Sequence, residues 1–374
     1  MKNREGKMMK IEHIEIFPIA SPYLVPMQLG SGVPLKKTIV ATILCLTTDE
    51  GLSGWGELWH MNSATTWEIK STVPDIINGQ DVLDREHILE KLIIATRHKP
   101  QLGRAIQGAV DMALLDIIGK WKKLSLSEML GGPYRNKIPV TWVMGIKDLA
   151  TTEAELERVI AEGFSTIKLK VGLDIEDDLK RLQLVRRKLD SRGNIRVDAN
   201  GAWSPKEAIR NIQRMQEYEL QLVEQPVPGT DLNGLRFVRE RVTVPIMADE
   251  SIWDLNDAVK LIRIGAADMF GVRPSEAGGV FNAAKIIWCA EAAGISCMIA
   301  SNFEYGIGTA VGVHLAASLR NVTIESDIIG PIYKENDILK KNLSILEGKI
   351  HLPVGFGLGV DVDKEAISSI LVKQ

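Results

Sequence analysis

The sequence predicts an α/β protein in which a parallel (β/α) barrel is joined to a separate α+β capping domain. Three observations support this prediction. At 374 residues, the chain is longer than a single hydrophobic core usually organises. The sequence pattern also changes near Ile138, after which short apolar segments alternate with amphipathic helices. This strand-and-helix unit recurs about every 25 to 30 residues, close to eight times, which is typical of a parallel barrel.

The region before this change predicts strands up to about residue 60 and helices over about 65–130. Ile11–Pro18 alternates apolar and polar residues, and Thr38–Thr47 is rich in β-branched side chains. Asp49-Glu50-Gly51 supplies a hairpin turn before Trp55-Gly56-Glu57. Small and apolar residues at helical spacing then indicate closely packed helices: Ala105, Ala109, Met112, Ala113, Leu115 and Ile117. We therefore expect the capping domain at 1–135.

Eight short apolar segments predict the barrel strands. They are Pro139–Val143, Thr166–Lys170, Ile195–Asp198, Leu222–Glu224, Pro245–Asp249, Met269–Val272, Cys297–Ala300 and Val322–Asp327. The helix between the third and fourth strands has the clearest start, because Ser204-Pro205-Lys206-Glu207 is a capping box with proline at the first helical position. The barrel is expected at 136–330. The pattern breaks after this, so the tail at 331–374 is expected to return to the capping domain.

Composition excludes several classes of protein. Hydrophobic residues make up 45% and charged residues 25%, as in an ordinary globular chain. A net charge of −3 argues against a nucleic-acid partner. The three cysteines are far apart with no CxxC spacing, which indicates small buried hydrophobic residues in a reducing compartment. No apolar run suits a signal peptide or a membrane span, so we expect no membrane partner and a cytoplasmic location.

Three acids end three successive predicted strands: Asp198, Glu224 and Asp249. The carboxyl ends of barrel strands converge on one mouth, so these acids are expected to lie close together. Ionised carboxylates that crowd together need a cation to offset their repulsion. Oxygen ligands of this kind suit Mg²⁺, and Mn²⁺ shares the same preference. Each acid taken alone is more simply explained as a strand-end cap or a salt-bridge partner, but three in succession favour the metal site.

Lys168 and Lys170 lie two residues apart on the second strand, so both side chains point to the same side. Nearby cations and partial burial would lower the pKa of a lysine there, which makes its free amine a usable base. A metal that binds a substrate carboxylate would stabilise the enediolate formed when the α-proton leaves. Pairing with the three acids is the simpler explanation of both lysines. Other polar residues near the strand ends are candidates for substrate binding or support: Asn200, Glu250, Glu304 and Asp327.

These residues, in this order, resemble the enolase superfamily, and within it the muconate lactonizing enzyme (muconate cycloisomerase) and mandelate racemase family. The matching segments are Trp55-Gly56-Glu57, Lys168-Leu169-Lys170, Asp198-Ala199-Asn200, Glu224-Gln225-Pro226, Ala248-Asp249-Glu250, Gly278-Gly279 and Glu304-Tyr305-Gly306-Ile307-Gly308. The resemblance implies a modified (β/α)7β TIM-like barrel capped by a domain built from both termini. It also implies Mg²⁺ on Asp198, Glu224 and Asp249, with Lys170 as the principal acid/base, Lys168 beside it, and often a homo-oligomer.

One position departs from the muconate lactonizing branch. That branch carries a second catalytic lysine on strand six, where this chain has Arg273. Arginine is not readily a base, so a two-base racemase or epimerase is put in doubt. A one-base cycloisomerase or lyase acting on a small carboxylic acid is less affected, with Arg273 binding an anion or stabilising charge opposite Lys170. The mandelate racemase branch would place a histidine after strand seven, where this chain has Ser301, Asn302 and Phe303.

Two further enzyme or binding functions stay open. A dipeptide epimerase or N-acyl amino acid racemase is one, because Glu325 and Asp327 partly match the acids that bind a substrate ammonium. A catalytically dead binding protein with the same fold is the other, for which Arg273 is the only support. Substrate choice is expected to depend on capping-domain loops at about Ser21–Lys37 and Glu57–Ser63. Within these loops Tyr23, Met27 and Trp59 suggest a partly apolar substrate, and His60 is a weaker candidate contact.

Overall fold

A computed structural model describes residues 8–30, 34–59, 63–189 and 193–372. The N-terminal region is an antiparallel three-stranded sheet, β1 (Ile11–Met27), β2 (Lys36–Thr48) and β3 (Ser53–Trp59). Helices α1–α4 follow, at Ser63–Ile77, Arg85–Ala95, Pro100–Lys122 and Leu126–Met129. The first predicted loop was wrong in its extent, because β1 continues to Met27 and β2 begins at Lys36. Tyr23 and Met27 are buried, and Met27 pairs with Lys36 of β2 after an irregularity in register that begins at Pro22.

The small residues predicted in the helical region allow α3 to lie directly against β3. The main-chain oxygens of Ala109 and Ala113 occupy the space that a Cβ at Gly56 or Gly54 would need. All six residues that the sequence analysis placed at helical spacing lie in α3 and are buried.

A seven-stranded parallel half-barrel sheet follows the short strand β4 (Lys137–Pro139), with its strands in chain order. They are β5 (Trp142–Met144), β6 (Thr166–Lys170), β7 (Asn194–Asp198), β8 (Leu220–Glu224), β9 (Ile246–Ala248), β10 (Met269–Val272) and β11 (Ser296–Ile299). Helices alternate with them as α5 (Leu149–Ala161), α6 (Ile175–Leu189), α7 (Pro205–Met215), α8 (Leu232–Arg239), α9 (Leu255–Ile264), α10 (Val280–Ala292) and α11 (Gly306–Ser318). At the start of α7 the Glu207 carboxylate accepts the Ser204 N–H at 2.9 Å, as its capping box predicts.

Two predicted barrel strands differ from the structure because their partners lie far away in the chain. The segment predicted as Pro139–Val143 is split, since Ile138 in β4 pairs with Ile350 of a C-terminal strand while β5 pairs with β6. Val322–Asp327 is not a continuous strand. Isolated bridges join Val322 to Cys297 and Ser326 to Val140, so this segment contacts both edges of the parallel sheet.

The C-terminal tail contains β12 (Ile345–Leu346), β13 (Lys349–His351) and α12 (Lys364–Ser369). Its last residues hydrogen-bond to β1, where the N–H of Ala20 donates to Ile370 O at 2.9 Å and the N–H of Val372 donates to Pro18 O at 2.9 Å. The domain boundaries at 135 and 330 stay predictions. None of the helices in the described ranges combines the length and the apolar character that crossing a membrane requires.

Candidate active site

The carboxyl ends of adjacent parallel strands bring the predicted site residues together. Lys170 on β6 is in register with Asp198 on β7, and Asp198 with Glu224 on β8. Asp249 directly follows β9, and Arg273 directly follows β10. This alignment is expected for parallel strands of similar length, whose ends lie along one edge of the sheet.

A cavity of roughly 300 Å³ opens at this edge. Eight of the predicted site residues line it: Lys168, Lys170, Asn200, Glu224, Asp249, Glu250, Arg273 and Asp327. Asp198 lies beneath them and is fully buried. The N-terminal sheet also contributes Tyr23 and Trp59, whereas Met27 lines a different surface cleft. His60 lies outside the described residues.

Lys168 is surrounded by carboxylates. Its Nζ donates to Glu224 Oε2 at 2.9 Å and to Asp327 Oδ2 at 2.5 Å, and it lies 3.4 Å from Asp198 Oδ2. Burial alone would lower the pKa of Lys168, but these three acids outweigh burial and raise it well above its ordinary value. The expectation of a lowered lysine pKa is therefore wrong for Lys168, which is held as an ammonium in this arrangement.

Lys170 has fewer acidic neighbours. Its Nζ donates to Asp198 Oδ2 at 2.5 Å and to Asn200 Oδ1 at 2.9 Å. Asn200 adopts a left-handed backbone conformation with φ of 45°, and its Nδ2 donates to Glu250 Oε1 at 2.8 Å. Its backbone N–H donates to the remaining Asp198 oxygen at 2.9 Å. The end of β7 and the turn after it therefore place the Asp198 carboxylate and the Asn200 amide oxygen beside the Lys170 amine.

The neighbouring cations do not fully offset the negative charge of the three predicted metal ligands taken together. Burial, and then the charge of Asp198, raise the pKa of Glu224 well above its ordinary value. Burial raises the pKa of Asp249 to about 7, although the positive charge of Arg273 acts to lower it. Burial would also raise the pKa of Asp198, but Lys170 and Lys168 lower it to about 2. Asp249 Oδ1 is buried, and within the described part of the chain it has no hydrogen-bond partner.

This donor set fits a divalent cation in composition. Carboxylates from three neighbouring strands and an unsatisfied buried oxygen are what a hard oxygen-seeking ion requires. In the conformations present, Lys168 lies between the acids, and no three His, Cys, Asp or Glu side chains among the described residues surround a common point. The donor types therefore fit a divalent cation, while Lys168 and Lys170 pair with Glu224 and Asp198 in the conformations present.

Arg273 is held between two acids. Its Nη1 donates to Asp249 Oδ2 at 3.0 Å, and its Nε lies 2.6 Å from Glu276 Oε2. Burial would lower the pKa of Arg273, but Asp249 and Glu276 raise it, so the guanidinium stays charged. Sequence reasoning missed Glu276, which lies three residues beyond Arg273 and also accepts from Asn302 Nδ2 at 2.9 Å.

Two acids, Glu304 and Glu57, hold the loop after β11 in place through hydrogen bonds. Glu304 accepts from Ser301 Oγ at 2.5 Å and from the Asn302 N–H at 3.1 Å, while Ser301 and Asn302 themselves line the cavity. Glu57 on β3 accepts the N–H groups of Tyr305 at 2.7 Å and Gly308 at 2.8 Å. Glu57 thus connects the N-terminal sheet to this loop and does not line the cavity.

Gln225 likewise holds a turn through hydrogen bonds, in this case the turn that carries Asp249. Its Oε1 accepts the backbone N–H of Asp249 at 3.0 Å and of Ser251 at 3.2 Å, so it holds the turn that carries the acid. Gln225 itself has φ of 36°, a left-handed conformation. The sequence marked it as part of a motif but gave no role.

Glu325 does not reach the cavity. It contacts the buried guanidinium of Arg196 at 2.5 Å and is not among the residues that line the cavity. Asp327 lines the cavity, but one of its oxygens pairs with Lys168. The two acids that partly matched an ammonium site are therefore not presented together.

Comparison with known proteins supports the same family along most of the chain. Residues 13–131 match the model of the mandelate racemase / muconate lactonizing enzyme N-terminal domain, and residues 151–366 match the enolase C-terminal domain-like model. The L-Ala-D/L-Glu epimerase of Bacillus subtilis is 33% identical over 94% of this chain and 97% of its own. The chloromuconate cycloisomerase CbnB of Cupriavidus necator is 30% identical over 96% and 98%.

Solved structures also resemble this chain in fold over nearly its whole length. The N-succinyl Arg/Lys racemase from Bacillus cereus has a TM-score of 0.92 at 27% identity, over 98% of this chain and 99% of that one. A dipeptide epimerase from Enterococcus faecalis, solved with Mg and the dipeptide L-Leu-L-Tyr, has a TM-score of 0.88 at 31% identity, over 94% and 100%. The chain belongs to the mandelate racemase/muconate lactonizing enzyme family and is an enzyme of the enolase superfamily.

Proposed function

We propose that this enzyme binds Mg²⁺ or Mn²⁺ through Asp198, Glu224 and Asp249 and removes the proton next to a carboxylate on a small acid. The cation would offset the charge of the three acids and stabilise the negative charge that develops on the substrate carboxylate. The observation that carries the proposal is Lys170, which faces the cavity beside Asp198 with its amine oriented by Asn200. We also infer that the bridges of segment 322–327 complete a (β/α)7β barrel.

Lys170 is proposed as the base. Its neighbour Lys168 is bound by three acids, so its proton is harder to remove, and its role is to balance their charge. Arg273 cannot accept a proton at neutral pH, and it is proposed to orient Asp249 and to face the developing negative charge. With a single usable base, a cycloisomerisation or an elimination is the outcome that the site favours.

Epimerisation of a dipeptide or racemisation of an N-acyl amino acid is the second candidate. It is supported by similarity to an L-Ala-D/L-Glu epimerase and to an N-succinyl Arg/Lys racemase. It requires proton acceptors on both faces of the α-carbon, whereas the residue after β10 is an arginine paired with two acids. Exchange of α-hydrogen from both stereoisomers of one substrate would favour this second candidate.

The test is a screen for deuterium uptake. Carboxylic acids, N-acyl amino acids and dipeptides are incubated with the enzyme in D₂O containing Mg²⁺, and a mass increase identifies compounds that lose a proton. We expect at least one compound to exchange, and Lys170→Ala to slow exchange by about 100-fold or more, since a positioned base contributes that much. Lys180→Ala is the matched control, because Lys180 is an exposed lysine paired with Asp177 on α6. An unchanged rate in Lys170→Ala would contradict the proposal, as would an inactive wild type.

A further inference from the structure

A buried lysine near the start of the tail contacts one wall of the cavity from outside. Lys334 follows the short 3₁₀ turn Gly330–Tyr333, is 4% exposed and does not itself line the cavity. Its Nζ donates to three carbonyl oxygens, those of Phe303 at 2.9 Å, Glu304 at 2.7 Å and Gly330 at 3.0 Å. An ammonium has three hydrogens to donate, so each of them has an acceptor here.

Two of these carbonyls belong to the loop after β11, whose backbone is strained. Phe303 has φ of 62°, a left-handed conformation that a bulky aromatic residue rarely adopts. Its N–H donates to Ser301 Oγ at 2.9 Å, and Ser301, Asn302 and Phe303 all line the cavity. Such a conformation persists only where the surrounding structure holds it. Lys334 is bonded to the carbonyl of the strained residue itself.

The 3₁₀ turn lies directly against this loop. A Cβ at Gly330 would collide with the carbonyl oxygen of Glu304, so only glycine allows the two backbones to approach this closely. Lys334 then joins the turn and the loop through one nitrogen atom. Its Nζ also lies 4.3 Å from the centroid of the Tyr305 ring, where a cation–π attraction favours the charged form.

The charge of Lys334 is costly at this position. Burial lowers the pKa of Lys334 to about 8, although the charges of Asp337, Glu57 and Glu304 act to raise it. An apolar side chain of the same length would avoid that cost, but it could not donate to the three carbonyls. The hydrogen bonds to the loop are therefore the contribution that only the ammonium can make.

We propose that Lys334 is a positioning residue, whose ammonium acts as a built-in monovalent cation and holds residues 301–303 of the loop after β11 against the cavity. This inference concerns a wall of the site and not the metal or the base. It rests on the proposed function only in treating the cavity as the place where substrate binds. Loss of the ammonium should loosen this wall while leaving Lys170 and the three acids in place.

Hydrogen exchange of the full-length enzyme tests the proposal without turnover. Lys334→Met keeps the length of the side chain and removes its charge and its donors. We expect the backbone amides of residues 302–305 to exchange about 10-fold or more faster than in the wild type, since hydrogen bonds from a charged donor contribute that much to a local opening. Amides of α6 should be unchanged, and Lys340→Met, at an exposed lysine of the same tail, is the matched control. Equal loop exchange in Lys334→Met and the wild type would overturn the proposal.

Chemical rescue separates the charge from the bulk of the side chain. The atoms that Lys334→Ala removes correspond to n-propylammonium, and 1-propanol has the same number of heavy atoms without the charge. Propylammonium should slow the loop exchange of Lys334→Ala toward the wild-type rate, whereas propanol should not. Rescue by both compounds, or by neither, would overturn the role of the ammonium. If Lys334→Ala does not fold, the comparison of Lys334→Met with the wild type decides the matter.

Kinetics connect the loop to the substrate. For a compound that exchanges its α-proton in D₂O, Lys334→Met should raise KM by about 10-fold with a smaller change in kcat, because the loop forms a wall and transfers no proton. A lowered kcat with unchanged KM would contradict a positioning role. Failure of the proposed function would instead appear as an inactive wild type whose loop exchange still depends on Lys334, so the two failures are distinguishable.

Discussion

Lys168 and Lys170 show how neighbouring residues decide what a side chain can do. They lie two residues apart on β6 and both line the cavity. Lys168 is within 3.4 Å of three acids, whereas Lys170 contacts one acid and one amide. The difference supports the proposal that Lys168 balances charge and Lys170 transfers the proton. It depends on which acids lie across the sheet, and no property of the two lysines alone reveals it.

Arg273→Lys tests whether the guanidinium is needed at the position where this branch of the family has lysine. We expect exchange activity to fall by about 10- to 100-fold, because one ammonium cannot replace a planar group that bonds Asp249 and Glu276 together. A buried acid left without its partner should also lower the free energy of unfolding by about 1–3 kcal/mol. Exchange rates and urea denaturation measure the two effects.

Arg263→Lys is the control for this substitution, since Arg263 lies exposed in the last turn of α9. It should leave both quantities unchanged. Activity in Arg273→Lys equal to that of the wild type would show that the guanidinium has no special role.

The site residues that could be predicted from sequence are those that directly end an apolar strand. Asp198, Glu224 and Asp249 are of this kind, because an acid directly after a buried segment is conspicuous. Glu276 and Gln225 were not predictable in role. Glu276 pairs with Arg273 and accepts from Asn302, and Gln225 holds the turn that carries Asp249, and these contacts exist only once the loops after the strands are folded together.

At the scale of elements, α11 connects three parts of the chain through one buried histidine. His314 Nδ1 accepts the backbone N–H of Ser127 on α4 at 3.2 Å, and Nε2 lies 3.0 Å from the carbonyl oxygen of Leu358 in the tail. An imidazole that accepts at one nitrogen and donates at the other is neutral. The junction between α4, α11 and the tail therefore requires the uncharged form.

This junction predicts a pH dependence of stability. Burial lowers the pKa of His314 to about 4 from an ordinary value of 6.5. Between these two values the unfolded chain binds a proton that the folded chain excludes, so the free energy of unfolding falls as the pH falls from 6.5 toward 4. The full loss from this group is about 3 kcal/mol. Urea denaturation at several pH values across this window measures it.

His314→Gln separates this group from the other titrating residues. Glutamine can accept and donate at similar positions without binding a proton. We therefore expect the difference in unfolding free energy between wild type and variant to shrink as the pH is lowered. A difference that stays constant from pH 7 to pH 4 would show that His314 does not contribute.

Elements were predicted best where their own sequence contains the signal. The capping box at Ser204 and the strands that lead to Lys170 and Asp198 are examples. Pro139–Val143 and Val322–Asp327 were wrong as continuous strands. Ile138 pairs with Ile350, and Val322 bridges to Cys297, so long-range partners determined where these segments enter a sheet.

At the scale of the whole molecule, the site depends on both parts of the chain. The barrel strands supply the acids and lysines, while the N-terminal sheet supplies Tyr23, Trp59 and Lys36 to the same cavity. The Tyr23 and Phe303 rings meet edge to face at a centroid distance of 6.1 Å across this junction. The resemblance placed Tyr23, Met27 and Trp59 in loops expected to select the substrate. Tyr23 and Trp59 line the cavity, whereas Met27 lines a different cleft.

Cation binding should stabilise the whole molecule, because the folded state alone assembles the three acids. A cation present at 100 times its dissociation constant adds about 2.7 kcal/mol to the free energy of unfolding. For a chain of this size that corresponds to a rise of about 2–4 °C in Tm. Thermal denaturation with increasing Mg²⁺ measures the shift.

Glu224→Gln should abolish this rise, whereas Asp177→Asn, which changes an exposed acid on α6, should retain it. A shift of equal size in Glu224→Gln and the wild type would place the cation elsewhere.

The most direct measurement is crystallographic. Crystals grown with Mn²⁺ and measured at a wavelength where manganese scatters anomalously reveal the ion independently of any model of its ligands. We expect one strong anomalous peak for an ion bound by oxygens of Asp198, Glu224 and Asp249, with the amine of Lys170 directed into the cavity beside it. No peak among these acids at saturating Mn²⁺, or a Lys170 side chain turned out of the cavity, would contradict it.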